Sequence, residues 1–200
     1  DETSADETSA DGATGGDGDD DVPPAARSTH RMAPRARGGW VYDEREGYRD
    51  LALGQPIPGL FVGSVDAAND RELLREHGIT HVLNVAKDLE SKFADDQTLT
   101  YLSLPLYDDY EEEIRQRFDG TNAFIEGCLS GGGAVLVHCM AGISRSATIV
   151  AAYVMKKKGL GVDEAVSLIR ETRWVQPNTS FKRQLQEYRD ELDGKKCTTM

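Results

Sequence analysis

The sequence predicts an α/β fold, a single domain with a central, mostly parallel twisted sheet flanked by helices. The segment 134–139, AVLVHC, is apolar at consecutive positions, a pattern typical of a strand that is covered on both faces. Apolar runs of strand length also alternate along the chain with longer segments of helical periodicity. That alternation favours a parallel sheet with helices packed on its faces.

The individual elements follow from local patterns, taken in chain order. Short apolar or β-branched runs predict strands over 59–64, 80–86, 100–106 and 134–139. Apolar residues at helical spacing, or a helical composition, predict helices over 67–77, 114–129, 144–158, 162–173 and 179–192. Gly78 is expected to stop the first of these helices, and the Asp119-Gly120 pair is expected to kink or split the second.

The N-terminal region has a different composition. Residues 1–21 begin with the tandem DETSADETSA and contain nine carboxylates and no Lys or Arg, so they cannot bury enough apolar surface to offset their ordering entropy. Residues 22–37 contain three Pro and four Arg, as linkers often do. We therefore predict a disordered acidic tail and Arg/Pro-containing linker over 1–54, a folded domain over 55–193 and a flexible tail over 194–200. The acidic tail is expected to be solubilising, with a phosphorylatable regulatory arm as the alternative.

The charge balance excludes a basic nucleic-acid binder. The formal net charge is −12, and a phosphate backbone would be repelled rather than neutralised. No apolar run approaches the ~20 residues that a bilayer span needs. The three cysteines have no repeating spacing, which excludes a disulfide scaffold and fits a reducing compartment. We therefore expect a cytoplasmic location, with the nucleus as a second compartment.

The nine residues 138–146, HCMAGISRS, join the predicted buried strand to the helix that follows it. In α/β sheets ligands bind beyond the carboxyl ends of strands, and the start of a helix offers free backbone N–H groups to an anion. The amides from Met140 to Arg145 can turn toward one centre, and Gly142 allows the backbone conformation that this turn requires. Cys139 would lie at the floor of this anion site, which favours its thiolate form. The guanidinium of Arg145 can bind two phosphoryl oxygens at once.

Four segments resemble the small, atypical dual-specificity protein phosphatases of the cysteine-dependent protein tyrosine phosphatase superfamily. They are VLVHCMAGISRSATIV, which contains the family signature HC-x2-G-x2-R-S, GITHVLNVA, YLSLPLYDD and PNTSFKRQL. The resemblance spans about 59–192, and it implies the phosphatase fold and an enzyme that hydrolyses phosphotyrosine and phosphoserine or phosphothreonine on proteins through a phosphocysteine intermediate. In one departure, Thr172-Arg173-Trp174 stands where several relatives have Arg-Pro.

The resemblance also implies a role for each site residue. Cys139 is the nucleophile, and Arg145 acts with the phosphate-binding loop to hold the phosphoryl oxygens. The other residues of that loop are Met140, Ala141, Gly142, Ile143 and Ser144. Asp108 matches the general acid, with Asp109 as the alternative, and Ser146 either stabilises the departing thiolate or caps the next helix. The residues expected to orient or brace the loop are His138, Asn84 and Asn178.

No cofactor is implied, and no metal, because the four histidines are not at ligand spacing. The expected partner is a phosphoprotein substrate, with a signalling kinase among the candidates. The phosphate-binding loop contains no Lys, and the acidic residues Asp109 and Glu111–Glu113 lie beside the candidate acid Asp108 in the sequence. Both features disfavour polyanionic lipids and RNA ends. Two alternatives stay open: a catalytically weak phosphosite-binding scaffold, and a phosphatase for a non-protein phosphate ester.

The C-terminal residues Cys197-Thr198-Thr199-Met200 have the outline of a prenylation signal, although both middle residues are Thr rather than aliphatic. We expect membrane association only if Cys197 is prenylated. The sequence predicts no particular oligomeric state.

Overall fold

The computed structural model describes residues 40–43, 47–87 and 89–194. Two strands, β1 (Trp40–Asp43) and β2 (Gly47–Asp50), form an antiparallel hairpin. The other strands form one five-stranded sheet and are β3 (Gly54–Ile57), β4 (Leu60–Gly63), β5 (Ile79–Asn84), β6 (Thr100–Ser103) and β7 (Ala134–His138).

The five-stranded sheet has the order β3-β4-β7-β5-β6. β3 pairs with β4 antiparallel, and every other pairing is parallel. β7, the apolar run of the sequence, is central, and its last four residues are buried. The predicted single α/β domain with a mostly parallel sheet is therefore confirmed.

Helices cover both faces of this sheet. Their bounds are α1 (Val65–Ala68), α2 (Arg71–Glu76), α3 (Phe118–Ser130), α4 (Arg145–Lys158), α5 (Val162–Arg170) and α6 (Thr179–Leu192), with a 3₁₀ turn over Ile114–Arg117 before α3. Val135 and Val137 of β7 belong to the larger core, which α3 to α6 complete. Leu136, which points to the other face, packs with residues of α1 and α2. None of the helices in the described ranges has the length and apolar character that a membrane span requires.

Two helix predictions need correction. The segment 67–77 forms parts of two helices, because Asp70 caps a new helix through its side chain, which accepts a hydrogen bond from Leu73 N at 2.9 Å. Conversely, α3 runs through Asp119-Gly120 without interruption, and the change from 3₁₀ to α geometry occurs just before Phe118.

The described structure also includes residues before position 55, the predicted start of the folded domain. The β1–β2 hairpin and the start of β3 lie before it, and Leu51 is buried against Ala67 and Leu73. The two hairpin strands are only four residues long and carry polar residues among their apolar ones, so they give no apolar run. The remainder of the predicted tail and linker, residues 1–39, and the end of the chain beyond Gly194, with Cys197, lie outside the described residues.

Replacing Leu51 tests whether the chain before residue 55 is part of the core. Leu51 is only 1% exposed, so Leu51→Ala should lower the free energy of unfolding by about 2–5 kcal/mol through lost burial and a cavity. Urea denaturation followed by circular dichroism measures this change. The nearby exposed Gln55 provides the control, and Gln55→Ala should change the free energy of unfolding by less than about 0.5 kcal/mol. Equal stability of the Leu51 variant and the wild type would contradict the assignment.

Candidate active site

The candidate nucleophile lies directly beyond the carboxyl end of the central strand. Cys139 follows β7 and is 1% exposed, and the fully buried Ser146 in the first turn of α4 lies 3.4 Å from it, measured from Oγ to Sγ. Between them the chain turns through the phosphate-binding loop, and Ser144 is the residue that precedes α4. The loop therefore connects the strand end to the helix start, as the sequence predicts.

Four successive carbonyl groups of this loop accept hydrogen bonds from residues outside the loop. The hydrogen bonds are Val65 N to Met140 O at 3.0 Å, Arg173 Nη2 to Ala141 O at 2.9 Å, Arg173 Nε to Gly142 O at 3.2 Å and Gln176 N to Ile143 O at 2.9 Å. In a trans peptide group the N–H of the next residue points opposite to the carbonyl. The amides of residues 141–144 are therefore directed to the concave side of the loop, where they form an anion nest.

Gly142 allows this turn to fit against the sheet. Its φ of +68° lies in the left-handed region, which residues other than glycine rarely adopt. A Cβ atom built there would lie 2.4 Å from both the carbonyl carbon and the oxygen of Gly63, at the end of β4. Glycine is thus required at position 142 for two independent reasons, backbone conformation and the close approach of another strand.

The guanidinium of Arg145 follows the nest in the chain, and its Nε is unused. Its Nη1 donates to Leu106 O at 3.0 Å, and its Nε lies 3.6 Å from Asp108 Oδ2, which is too long for a hydrogen bond. This Nε is buried and has no hydrogen-bond partner within the described ranges. Because buried donors are almost always satisfied, an oxyanion held by the loop would be its natural acceptor.

Of the two candidate acids, the structure brings only Asp108 to the loop. Its Oδ1 accepts hydrogen bonds from Ser144 Oγ at 2.7 Å and from Asn178 Nδ2 at 3.0 Å. The Oδ1 of Asp109 instead accepts the backbone amides two and three residues further along the chain, at 3.0 and 2.8 Å, and closes an exposed turn. Asp108 therefore faces the site, whereas Asp109 shapes the segment that carries it.

The acid loop, residues 107–112, is hydrogen-bonded to α6 by two side chains that the sequence did not indicate. Ser180 Oγ donates to Tyr110 O at 2.9 Å, and Gln184 Nε2 donates to Glu112 O at 2.8 Å. Within the loop, Glu112 Oε2 accepts the backbone amide of Tyr107 at 2.9 Å. These bonds hold the backbone on both sides of Asp108.

The two asparagines predicted to brace the phosphate-binding loop have different roles. The backbone amide of Asn178 donates to Ser144 Oγ at 3.2 Å, so this residue joins the phosphate-binding loop to the acid loop. The side chain of Asn84 donates to Leu89 O at 2.8 Å and accepts from Ala86 N at 3.0 Å. The side chain of Asn84 therefore braces the turn after β5, and its support of the phosphate-binding loop stays a prediction.

His138 is buried at the end of β7, beside the nucleophile. Burial lowers the pKa of its imidazole to about 4, although a hydrogen bond with the Cys139 backbone acts in the opposite direction. The ring is therefore neutral near pH 7. Its Nδ1 has no hydrogen-bond partner among the residues described. Because the ring is buried and uncharged, His138 is poorly suited to act as a base.

Arg173 is a site residue that sequence reasoning noticed only as a departure from the family pattern. Its side chain is 6% exposed and, besides the two loop carbonyls, contacts Asp50 of β2. No sequence pattern connects residues 123 positions apart, so the partnership could be found only in the folded structure.

Adding a methyl group at position 142 tests how closely the phosphate-binding loop packs against the Gly63 backbone. Because the added Cβ would overlap the Gly63 backbone, Gly142→Ala should lower kcat/KM for an aryl phosphate by about 10²-fold or more, as expected when oxyanion donors are displaced. Gly120→Ala is the control, since a Cβ at this helical position meets nothing within 4 Å, and it should leave kcat/KM unchanged. Wild-type activity of the Gly142 variant would show that the loop is not constrained in this way.

Comparisons with known proteins agree with this geometry. Residues 60–191 match the family model described as "Dual specificity phosphatase, catalytic domain". Dual specificity protein phosphatase 1B of Arabidopsis thaliana is 42% identical over 150 residues, which cover 74% of this chain and 87% of that protein. MAP kinase phosphatase with leucine-rich repeats protein 3 of Dictyostelium discoideum is 43% identical over 156 residues, 76% of this chain but only 18% of that protein.

Among solved structures, that of the human tyrosine phosphatase-like serine/threonine/tyrosine-interacting protein superposes with a TM-score of 0.64 at 39% identity, covering 68% of this chain and 95% of that chain. The family match extends over most of the described sheet and over every element of the phosphate-binding loop and the acid loop. The chain therefore belongs to the dual specificity phosphatases and is a cysteine-dependent protein tyrosine/serine/threonine phosphatase.

Proposed function

We propose that this phosphatase hydrolyses phosphotyrosine and phosphoserine or phosphothreonine on proteins through a phosphocysteine formed on Cys139. The observation that carries the proposal is the arrangement around the buried sulfur: inward-facing amides of residues 141–144, and the unused Nε of Arg145. These donors match the three equatorial oxygens of a phosphoryl group in transfer, where they stabilise the transition state. They also favour the thiolate over the thiol.

In the first step the Cys139 thiolate attacks phosphorus, so that an S–P bond forms as the ester P–O bond breaks. The leaving oxygen takes a proton from Asp108. Both hydrogen-bond donors to this carboxyl bind Oδ1, which leaves Oδ2 as the oxygen that carries and releases the proton.

In the second step water attacks phosphorus and the S–P bond breaks. The Asp108 carboxylate accepts the proton of the attacking water, which restores the acid, and inorganic phosphate leaves. The sulfur departs as a thiolate, and Ser146, 3.4 Å away, donates its hydroxyl hydrogen bond to the developing negative charge.

The surroundings of the site favour a protein segment over a polyanion as substrate. Met140, Tyr107 and Trp174, each next in sequence to a residue of the site, have about half or more of their surface exposed. This apolar rim suits the flanking side chains of a peptide. The acid loop also carries the carboxylates of Asp109, Glu111 and Glu112, which repel the additional phosphates of a polyanion.

A phosphorylated signalling kinase is the partner we propose within this class. One relative carries MAP kinase phosphatase in its name, and the apolar rim accepts a flexible phosphorylated loop as readily as any other extended peptide. Cys128 and Cys139, the cysteines within the described ranges, are both unpaired. Because the reaction requires a reduced thiolate, we place the activity in the cytoplasm or nucleus.

The role of Cys139 is tested by changing its sulfur. Cys139→Ser should reduce turnover of para-nitrophenyl phosphate by at least ~10³-fold, because a hydroxyl in this nest is a far weaker nucleophile than a thiolate. Acid quench of the wild type during turnover of a radiolabelled phosphopeptide should trap phosphate on Cys139. Cys128→Ser, at the other described cysteine, should retain activity, and a chelator should have no effect. Full turnover by the Cys139 variant would refute the mechanism.

The choice between the two acids is tested by leaving-group dependence. Asp108→Asn should lower kcat for a phosphoserine peptide by about 10²–10⁴-fold, the usual contribution of a general acid. The loss should be much smaller for para-nitrophenyl phosphate, whose phenolate leaves without a proton. Asp109→Asn, at the neighbouring turn, should affect both substrates equally and weakly. Equal losses in the two variants would contradict the assignment of Asp108.

A further inference from the structure

Asp50 and Arg173 form a buried ion pair next to the phosphate-binding loop. Each residue is 8% exposed, Nη2 of the arginine lies 2.5 Å from Oδ2 of the aspartate, and Nη1 lies 3.3 Å from Oδ1. This is the side-by-side geometry in which a guanidinium binds a carboxylate most strongly. Asp50 precedes the region 60–191 that the family model covers.

The same guanidinium also binds three carbonyl oxygens. Nη1 donates to Ala52 O at 2.7 Å, Nη2 to Ala141 O at 2.9 Å and Nε to Gly142 O at 3.2 Å. Two of these carbonyls are successive in the phosphate-binding loop. By holding them outward, Arg173 directs the amides of the next two residues inward, toward the proposed oxyanion site.

Asp50 is also held by hydrogen bonds that do not involve the arginine. Its backbone amide donates to Asp66 Oδ2 at 2.9 Å, its carbonyl accepts from Ser64 Oγ at 2.7 Å, and its Oδ1 accepts the amide of Ala52 at 3.1 Å. The carboxylate therefore offers a stationary anchor at the end of β2, on the side of the loop away from the substrate.

Charge makes each partner dependent on the other. A buried guanidinium without a counter-ion is strongly unfavourable, so Arg173 would move toward solvent if the carboxylate were neutral. Such a movement would release the Ala141 and Gly142 carbonyls. Loss of Asp50 should thus act on the loop through Arg173, although no atom of Asp50 is a reacting group.

We propose that Asp50 and Arg173 are positioning residues for the phosphate-binding loop, and that the segment 47–54, ahead of the family-matched region, is part of the catalytic unit. The proposal rests on the proposed function of that loop as the oxyanion site. It assigns to the end of the N-terminal hairpin a direct part in setting the affinity for the phosphoryl group.

The test measures oxyanion binding separately from turnover, in the full chain. Orthovanadate affinity is measured by calorimetry, and kcat and KM are measured with para-nitrophenyl phosphate, well below the melting temperature of each variant. Asp50→Asn and Arg173→Met should each weaken vanadate binding by about tenfold or more and lower kcat/KM by about 10²-fold, as when an oxyanion donor is misplaced. Arg173→Lys should be intermediate, because an ammonium group cannot bind the carboxylate and both carbonyls in the same geometry.

A double variant separates positioning from general destabilisation. If Asp50 acts through Arg173, Asp50→Asn should cause no further loss of vanadate affinity in the Arg173→Met background. The matched controls are Arg71→Met and Asp96→Asn, which break an ion pair of 2.7 Å between α2 and the segment before β6. Both should change stability while leaving vanadate affinity and KM at wild-type values.

The outcomes distinguish this proposal from the function it rests on. A wild-type protein that neither binds vanadate nor hydrolyses phosphate would refute the proposed function itself. An active wild type together with a folded Asp50→Asn variant of unchanged vanadate affinity would overturn only the positioning role. Failure of every Asp50 and Arg173 variant to fold would also overturn it, since the pair would then serve folding alone.

Discussion

The orientation of four peptide groups is the constraint on which this site depends. The carbonyls of residues 140–143 face outward because Val65, Arg173 and Gln176 bind them, and the amides face inward as a geometric consequence. The start of α1 supplies one of these anchors, and the segment between α5 and α6 supplies the other two. An anion site of this kind is therefore a property of the whole fold rather than of one helix start.

Asp108 and the phosphate-binding loop share one support. Ser144 ends the phosphate-binding loop, donates to Asp108 and accepts the backbone amide of Asn178. Asn178 also begins α6 as its N-cap, through a hydrogen bond from Phe181 N at 2.9 Å. Hydrogen bonds through Ser144 consequently join Asp108 to the end of the loop that begins after Cys139, so the proposed acid is held at the loop before any substrate arrives.

Local patterns in the sequence predict the parts of this structure that depend on local interactions. The apolar run of β7, the helix α6 and the loop glycine at position 142 all follow from composition, periodicity or backbone conformation. The β1–β2 hairpin does not, because its four-residue strands mix polar and apolar residues and give no apolar run. The partnership of Arg173 with Asp50 does not either, because it joins residues 123 positions apart. The side-chain partners of Asn84 are close in the chain, but they lie in a turn whose course the sequence does not specify.

A phosphate-binding site in a chain with a formal charge of −12 requires an electrostatic explanation. The net charge acts over long range and is screened beyond about 8 Å at physiological ionic strength. The amides and Arg145 act at contact distance and in a buried setting, where hydrogen bonds to an oxyanion are strongest. A single phosphoryl group that reaches the loop therefore gains the full short-range attraction. A ligand with several phosphates would hold its remaining charges against the carboxylates of the acid loop, including Asp109 and Glu112, so the same charge distribution binds one phosphate and disfavours many.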